Sequence, residues 1–403
     1  MERKMAFTGV LAIMLANAAI ADIPSNPNYT SYVEPSVIQH NLSGLDRVYR
    51  QNYSKFIDYL TPNGGKILLV ATDGMSDEQL LRAYNILDFY LTDVPGSEFG
   101  SDKTAVANAM ADNGAVLVMP GGADGDSPID ESALAGQPLY ALEFPIEGSP
   151  AYINNDYEQR DAGFEEIFHM VHDYGIGTKY TPGPLQSTYQ AEIAKATADA
   201  LEHSRWGIGD RGVKSWISEL ADEGSLEQEY IASVLDSYYG YWGAWIEGDG
   251  GTWDIYVAKT RADVKLQDPM GAALVPQFLS DTVTYMARID PTFTGAFDMN
   301  FDADKPYTYK SQYLVNARLL GDQPSAIYGN DHDNVLVGNA ADNVLDGKGG
   351  NDVVQYNATS SDAKINRSNS GLQITAPGHG TDTLIDIETL RFTDRDIATS
   401  SPQ

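Results

Sequence analysis

Ile327-Tyr-Gly-Asn-Asp-His-Asp-Asn-Val335, Leu336-Val-Gly-Asn-Ala-Ala-Asp-Asn-Val344 and Leu345-Asp-Gly-Lys-Gly-Gly-Asn-Asp-Val353 are consecutive nines that align without a gap. Gly329, Gly338 and Gly347 share one column; Asp333, Asp342 and Asn351 share a second; Asn334, Asn343 and Asp352 share a third, followed by Val335, Val344 and Val353. Glycine admits a left-handed turn, a short carboxylate or amide reaches inward across it, and the valine opens a short strand. Each nine reads as one half-coil of a parallel β-roll. Side-chain and turn-carbonyl oxygens of successive coils suit Ca²⁺, which takes about six to eight oxygen ligands. Asp331, Asp333, Asp342, Asp346, Asn351 and Asp352 are the candidate donors.

The repeat resembles the hemolysin-type (RTX) calcium-binding unit, G-G-x-G-x-D-x-L-x. In the third copy Gly347, Gly350 and Asp352 stand at the family's positions, with Lys348 in place of a glycine. The first two copies carry Asn334 and Asn343 in the aspartate column, and His332 and Ala341 where glycine is expected. Gly380 to Asp394 looks like the strand pair that follows such repeats, so the resemblance covers about residues 326–398. It implies calcium binding, with fewer ions than three full copies would hold. The alternative is a calcium-free cap whose polar columns hydrogen-bond the turns.

Outward from the repeat, Gly321 to Pro324 marks the expected boundary, with the roll at 321–403 and a larger domain at 22–320. That domain alternates helical and strand signals, so an α+β architecture is expected. Helices are predicted over Asp46–Leu60, from a capping box at Ser76–Gln79 toward Leu91, and over Asp102–Ala111, Phe164–Asp173, Tyr189–His203, Val213–Ala221 and Leu226–Tyr239. Strands are predicted at Gly64–Ala71, Ala115–Met119, Leu139–Phe144 and Tyr309–Leu320.

The 57 acidic residues outnumber the 26 basic ones and leave a formal charge of −31, which repels nucleic acid and anionic membranes and favours cations. With no cysteine there are no disulfides, thiolate zinc sites or cysteine nucleophiles. Residues 1–21 combine Arg3 and Lys4, an apolar run from Met5 to about Leu15, and small residues at Ala19 and Ala21, the order of a secretory signal peptide. That run is too short to span a bilayer, and no later stretch is long and uncharged enough to do so, so no integral membrane segment is expected in the mature chain. Secretion to the exterior is expected, with periplasmic residence as the alternative.

Chemistry concentrates in Gly163-Phe-Glu-Glu-Ile-Phe-His-Met-Val-His-Asp-Tyr-Gly175. On a helix Glu165, His169 and His172 share a face and Glu166 borders it. Two carboxylates and two imidazoles on an apolar helix are costly to bury unless a cation lies between them. The second segment, Ser225 to Gly240, reads as a capped helix carrying Glu229, Ser233 and Asp236 at i, i+4 and i+7.

This pair of helices resembles the metal-bearing helices of gluzincin-type zincin metallopeptidases, and Glu229 to Tyr239 looks like the distal helix of lethal-factor-like peptidases. The resemblance implies Glu166 as general base, His169 as a ligand and Glu229 as the distal ligand, with Glu165 replacing the first histidine of H-E-x-x-H. Zn²⁺ or another divalent metal is the implied ion, and a peptide or protein the implied substrate. In an alternative register His169 and His172 both ligate, with Glu165 or Glu229. Tyr238, Tyr239 and Tyr241 are candidates to stabilise an oxyanion. The rival reading is a non-catalytic, calcium-stabilised extracellular binding or surface protein on a degenerate zincin scaffold.

Overall fold

The computed structural model describes residues 26–29, 34–125, 129–158, 160–368 and 371–400; the signal-peptide reading lies outside them. Asp46–Leu60, expected as one helix, divides into α1 (Arg47–Asn52) and strand β1 (Lys55–Leu60), which pairs antiparallel with β2 (Lys66–Ala71). Phe56, Ile57 and Leu60 fit a helical stripe, but pairing with β2 satisfies their backbone and places Ile57 and Phe56 on opposite faces of the sheet.

Helix α2 (Asp77–Leu91) begins at the expected capping box: Gln79 N–H donates to Ser76 Oγ at 3.1 Å and Ser76 N–H to Gln79 Oε1 at 2.9 Å. After α3 (Thr104–Asp112), β3 (Val116–Met119) runs parallel to β2, and β4 (Gln137–Pro138) parallel to β3. The strand expected at Leu139–Phe144 does not form there: the short pairing of β4 precedes it, and a 3₁₀ turn occupies Ala141–Glu143. One face of the sheet, with Ile67, Leu69 and Leu117, joins the main core; the other packs Val70 and Val118 against Tyr49 and Tyr53.

Next come α4 (Pro150–Asn154), α5 (Gly163–Val171), a π-helical turn at His172–Ile176, α6 (Tyr189–Glu202), α7 (Arg211–Glu223), α8 (Leu226–Tyr238), α9 (Arg261–Gln267) and α10 (Pro269–Phe278). Contrary to expectation, Ser225 does not cap α8; its hydroxyl is buried without a partner.

The chain then winds between two six-stranded sheets. Strands β5 (Val283–Ile289) and β6 (Gly295–Asp298), then after α11 (Thr308–Ser311) β7 (Leu314–Leu319), β8 (Ser325–Tyr328), β9 (Val335–Val337), β10 (Val344–Asp346) and β11 (Val353–Gln355), alternate sheet by sheet. One sheet continues from β11 to β15 (Thr389–Arg391) and β16 (Asp396–Ala398); the other gains β12 (Lys364–Ser368), β13 (Gly371–Thr375) and β14 (Thr381–Ile385). Within each sheet the coil strands are parallel and spaced two apart in sequence order, with antiparallel strands closing the C-terminal edge.

Ile327, Leu336, Leu345 and Val354 point inward and are fully buried. The expected boundary at 321 falls inside this body, because β7 pairs with β9 across it. Helix α2 and the segment before α4 join the body to the helical layer: Arg288 Nε donates to Glu78 Oε2 of α2 at 2.6 Å, and Tyr285 OH to Glu147 Oε1 at 2.6 Å. The chain is thus a mixed α+β protein, and among the described residues no helix is long and apolar enough to cross a membrane.

Candidate metal centre

Helix α5 is apolar on most of its surface, and burying Phe164, Ile167, Phe168, Met170 and Val171 fixes its roll angle. Glu165 and His169, one turn apart, then face α8, whose first turn presents Glu229. A carboxylate oxygen from each glutamate and a ring nitrogen of His169 all lie within 4.8 Å of one another. His169 is 3% exposed, and its Nε2 has no hydrogen-bond partner, the nearest carboxylate oxygen being Glu229 Oε1 at 3.8 Å. Its Nδ1 lies 3.3 Å from Glu166 Oε2, which also accepts from Gln137 Nε2 of β4 at 2.6 Å. Glu166 therefore orients the imidazole and leaves Nε2 directed into the cluster.

His172 does not join this group. Its Nε2 meets Gln190 Oε1 of α6 at 2.5 Å, and its Nδ1 lies 3.5 Å from its neighbour Asp173. The π-helical turn begins at His172, so the even helical spacing assumed from sequence ends where this residue stands. Tyr238 and Tyr239 are also committed elsewhere, donating to Asp281 Oδ1 at 2.6 Å and to the Ser280 carbonyl at 2.5 Å. Tyr241 is half-buried and lines a small cavity with Arg160 and Asp236.

Arg160 and Asp236 complete the electrostatics. Arg160 Nη1 makes a close ion pair with Glu165 Oε2 and lies 3.7 Å from Asp236 Oδ2, two turns along α8 from Glu229. Four carboxylates, Glu165, Glu166, Glu229 and Asp236, thus gather around one guanidinium and one imidazole. Burial acts to lower the His169 pKa, but Glu229, Glu166 and Glu165 overcome it and push it up to about 10. Burial raises Glu229 to about 7 against the pull of His169, and raises Asp236 well above the carboxylate range. Glu165 moves the other way, because Arg160 and His169 outweigh its desolvation. Without a further cation the cluster thus holds protons to limit its negative charge.

The cavity lined by Arg160, Asp236 and Lys310 has about 10 Å³ of free volume, room for roughly one water. It shares Asn155, Asp156 and Tyr157 with an open groove of about 810 Å³ that presents Trp245, Ile246 and Trp253. The Arg160 guanidinium carbon sits 5.0 Å above the Trp253 ring, linking the groove to Glu165. Thr252, Trp253 and Asp254 all adopt left-handed backbone conformations, with φ of 49°, 50° and 68°. Such strain persists only where the surroundings hold it.

No protein-family model matches this chain, and no curated protein or solved structure is significantly similar to it.

The expected calcium donors fall in the turns of the two-sheet body. Asp333 Oδ1 accepts from Asn351 N at 2.8 Å, and Asp342 Oδ1 from Thr381 N at 2.7 Å, while Asp331 is exposed. Asp346 Oδ2 pairs with Lys348 Nζ at 2.7 Å. Asp352 Oδ1 accepts from Asn334 N at 2.8 Å, but its Oδ2 is buried without a partner. Burial, with Glu388, Asp333 and Asp346 nearby, pushes Asp352 up to about 7.

Sequence reasoning passed over Arg160, Gln137, Glu388 and Asp382, a fully buried carboxylate that accepts from Asn343 N at 3.0 Å. Only Asp382 had a local signal: it stands two residues before the apolar Leu384 as Asp352 stands two before Val354, although outside the run of nines.

Proposed function

We propose that this chain is an exported calcium-binding protein whose helical layer carries a zincin-like divalent-metal site for metal-dependent peptide hydrolysis. The observation that carries the metal reading is the buried, partnerless Nε2 of His169, whose other ring nitrogen is already directed at Glu166. A ligand histidine requires that arrangement, and two carboxylates with one imidazole form a donor set that Zn²⁺ accepts. Glu165, His169 and Glu229 would hold the ion, which when bound supplies Lewis acidity toward a carbonyl and a water. Glu166, partly exposed beside His169, is placed to accept a proton, and Arg160, paired with Glu165, stacks on Trp253 of the aromatic groove.

Elemental analysis of the mature protein against Glu165→Ala and His169→Ala tests the assignment. The expected result is about one transition-metal ion per chain, lost in both variants. Glu166→Gln is then expected to keep the metal and lose turnover of a peptide library. Metal-independent turnover, or calcium as the only bound ion, would remove the hydrolase reading. In the second case the chain is a non-catalytic binding or surface protein, a reading favoured by the ion pair with which Arg160 already neutralises Glu165.

For the C-terminal body the proposal is an RTX-type roll whose turns take Ca²⁺. The buried, partnerless Asp352 Oδ2 supports it. Calcium titration of the whole mature chain is expected to show binding below about millimolar, the upper end for extracellular modules, weakened in Asp352→Asn. Equal titrations of the two proteins would remove Asp352 from the donor set.

A further inference from the structure

Arg160 Nη1 contacts Glu165 at the carboxylate that the metal reading makes a ligand. Its guanidinium is also near Asp236 at 3.7 Å and stacks on Trp253 at 5.0 Å. It is thus held by the Glu165 carboxylate, a second acidic side chain and one aromatic face, and it stands between the groove and the three-donor cluster.

A guanidinium and a divalent ion cannot both lie against one carboxylate without strong repulsion, since like charges a few ångströms apart in a poorly solvated site interact by several kcal/mol. Acidic groups remain in excess with Arg160 in place: four carboxyl groups face one guanidinium and one imidazole. Glu229 and His169 therefore still favour a cation while Glu165 is occupied. The groove side of Arg160 offers a second resting place, because Trp253 is 45% exposed and Asp156 and Glu158 line the same groove.

We infer that Arg160 is a built-in competitor for the divalent ion: its guanidinium occupies Glu165 in the ion-free protein and must swing away for Glu165, His169 and Glu229 to bind metal together. The inference rests on the metal reading proposed above and goes beyond it by naming the residue that sets the site's affinity. It also accounts for a carboxylate standing where H-E-x-x-H has histidine. A neutral imidazole there would not retain the guanidinium, whereas Glu165 does.

The test is Zn²⁺ calorimetry on the stripped, full mature chain in saturating Ca²⁺, with tryptophan emission recorded in parallel. Arg160→Gln is expected to bind one Zn²⁺ at least about tenfold more tightly than wild type, because a like charge is removed from beside the ligands. Arg160→Lys, which keeps the charge, should remain closer to wild type than Arg160→Gln. Adding Zn²⁺ to the wild type should change an emission component that is missing in Trp253→Phe, reporting a change in the guanidinium's position over the ring.

Should Arg160→Gln not fold, Asp236→Asn removes the second acidic group beside Arg160 and is expected to tighten Zn²⁺ in the same direction. Equal affinity in wild type and folded Arg160→Gln, with binding still lost in His169→Ala, overturns the competitor while leaving the metal site standing. Absence of Zn²⁺ binding in every folded variant overturns both.

Discussion

Single buried charges differ here in whether their partners were chosen by neighbouring sequence or by distant chain. Arg82 Nη1 and Nη2 donate to the two Asp161 carboxylate oxygens at 2.9 Å each, and Nε donates to Glu147 Oε1 at 2.8 Å, all three side chains being almost wholly buried. Replacing Arg82 with Met would strand two carboxylates in the core. The expected loss is about 3–5 kcal/mol in urea unfolding, because the cost lies in the uncompensated charge. A loss near zero would mean that water reaches the pair.

Lys103 behaves in the opposite way. Among the described residues its ammonium meets no carboxylate, only the Tyr90 carbonyl at 2.9 Å and the Phe278 ring at 4.5 Å, and burial pushes its pKa down to about 7. The folded state therefore binds fewer protons than the unfolded state between about pH 7 and 10.5, and this destabilisation is full below pH 7 and fades as the pH rises. Lys103→Met is expected to be more stable than wild type at pH 6, with the gap closing toward pH 10. A pH-independent difference would rule out titration as its cause.

At the scale of elements, agreement between local pattern and structure is closest where an element's partner is its own neighbour. The three nines alternate between the two sheets, so each valine pairs two half-coils away at the same register: Val335 pairs with Val353, and Val344 with Ala326. Gly347 shows why the glycine column is required. A Cβ there would meet Asp352 Oδ2 at 2.2 Å and the Asp386 carbonyl at 2.3 Å, so the inward carboxylate occupies that space. Gly347→Ala is expected to destabilise the two-sheet body by about 1–3 kcal/mol, through overpacking, in thermal melts with and without Ca²⁺.

Lys348 stands at φ 68° in a position where the repeat prefers glycine, and its ammonium neutralises Asp346. A basic side chain thus sits on a candidate metal-binding carboxylate here as well as at Glu165. Other elements were misread. The helical stripe over Asp46–Leu60 was real as spacing, but β2 supplied a better partner for its second half. The helices α9 and α10 and the strands β5 and β6 carried no signal strong enough to be named, being short or packed on several sides.

Across the whole molecule, the helical layer and the two-sheet body share one hydrophobic core, running from Ile38 to Phe392. The body begins at Val283, and β7 and β8 take partners from both sides of residue 321. A fragment ending at Leu320 would expose the β7 edge that β9 covers and remove β8 from β6. It is expected to be insoluble or to lack a cooperative melt, whereas deletion from about Asp362 onward leaves the first coils paired and should melt cooperatively at lower temperature. A stable, monomeric 22–320 fragment would contradict this continuity.

Sequence by itself determined the repeat and its glycine and carboxylate columns, the capped start of α2, the acidic character, and the shared face of Glu165 and His169. These depend on periodicities of nine residues or fewer and on composition, which a chain carries locally. Tertiary structure alone decided that Glu229 reaches His169, that the π-helical turn sends His172 to Gln190, that Arg160 rests on Glu165, and that the two-sheet body begins before the nine-residue repeat. Each of these depends on which distant surface satisfies a buried charge or an open sheet edge, and no local spacing specifies that partner.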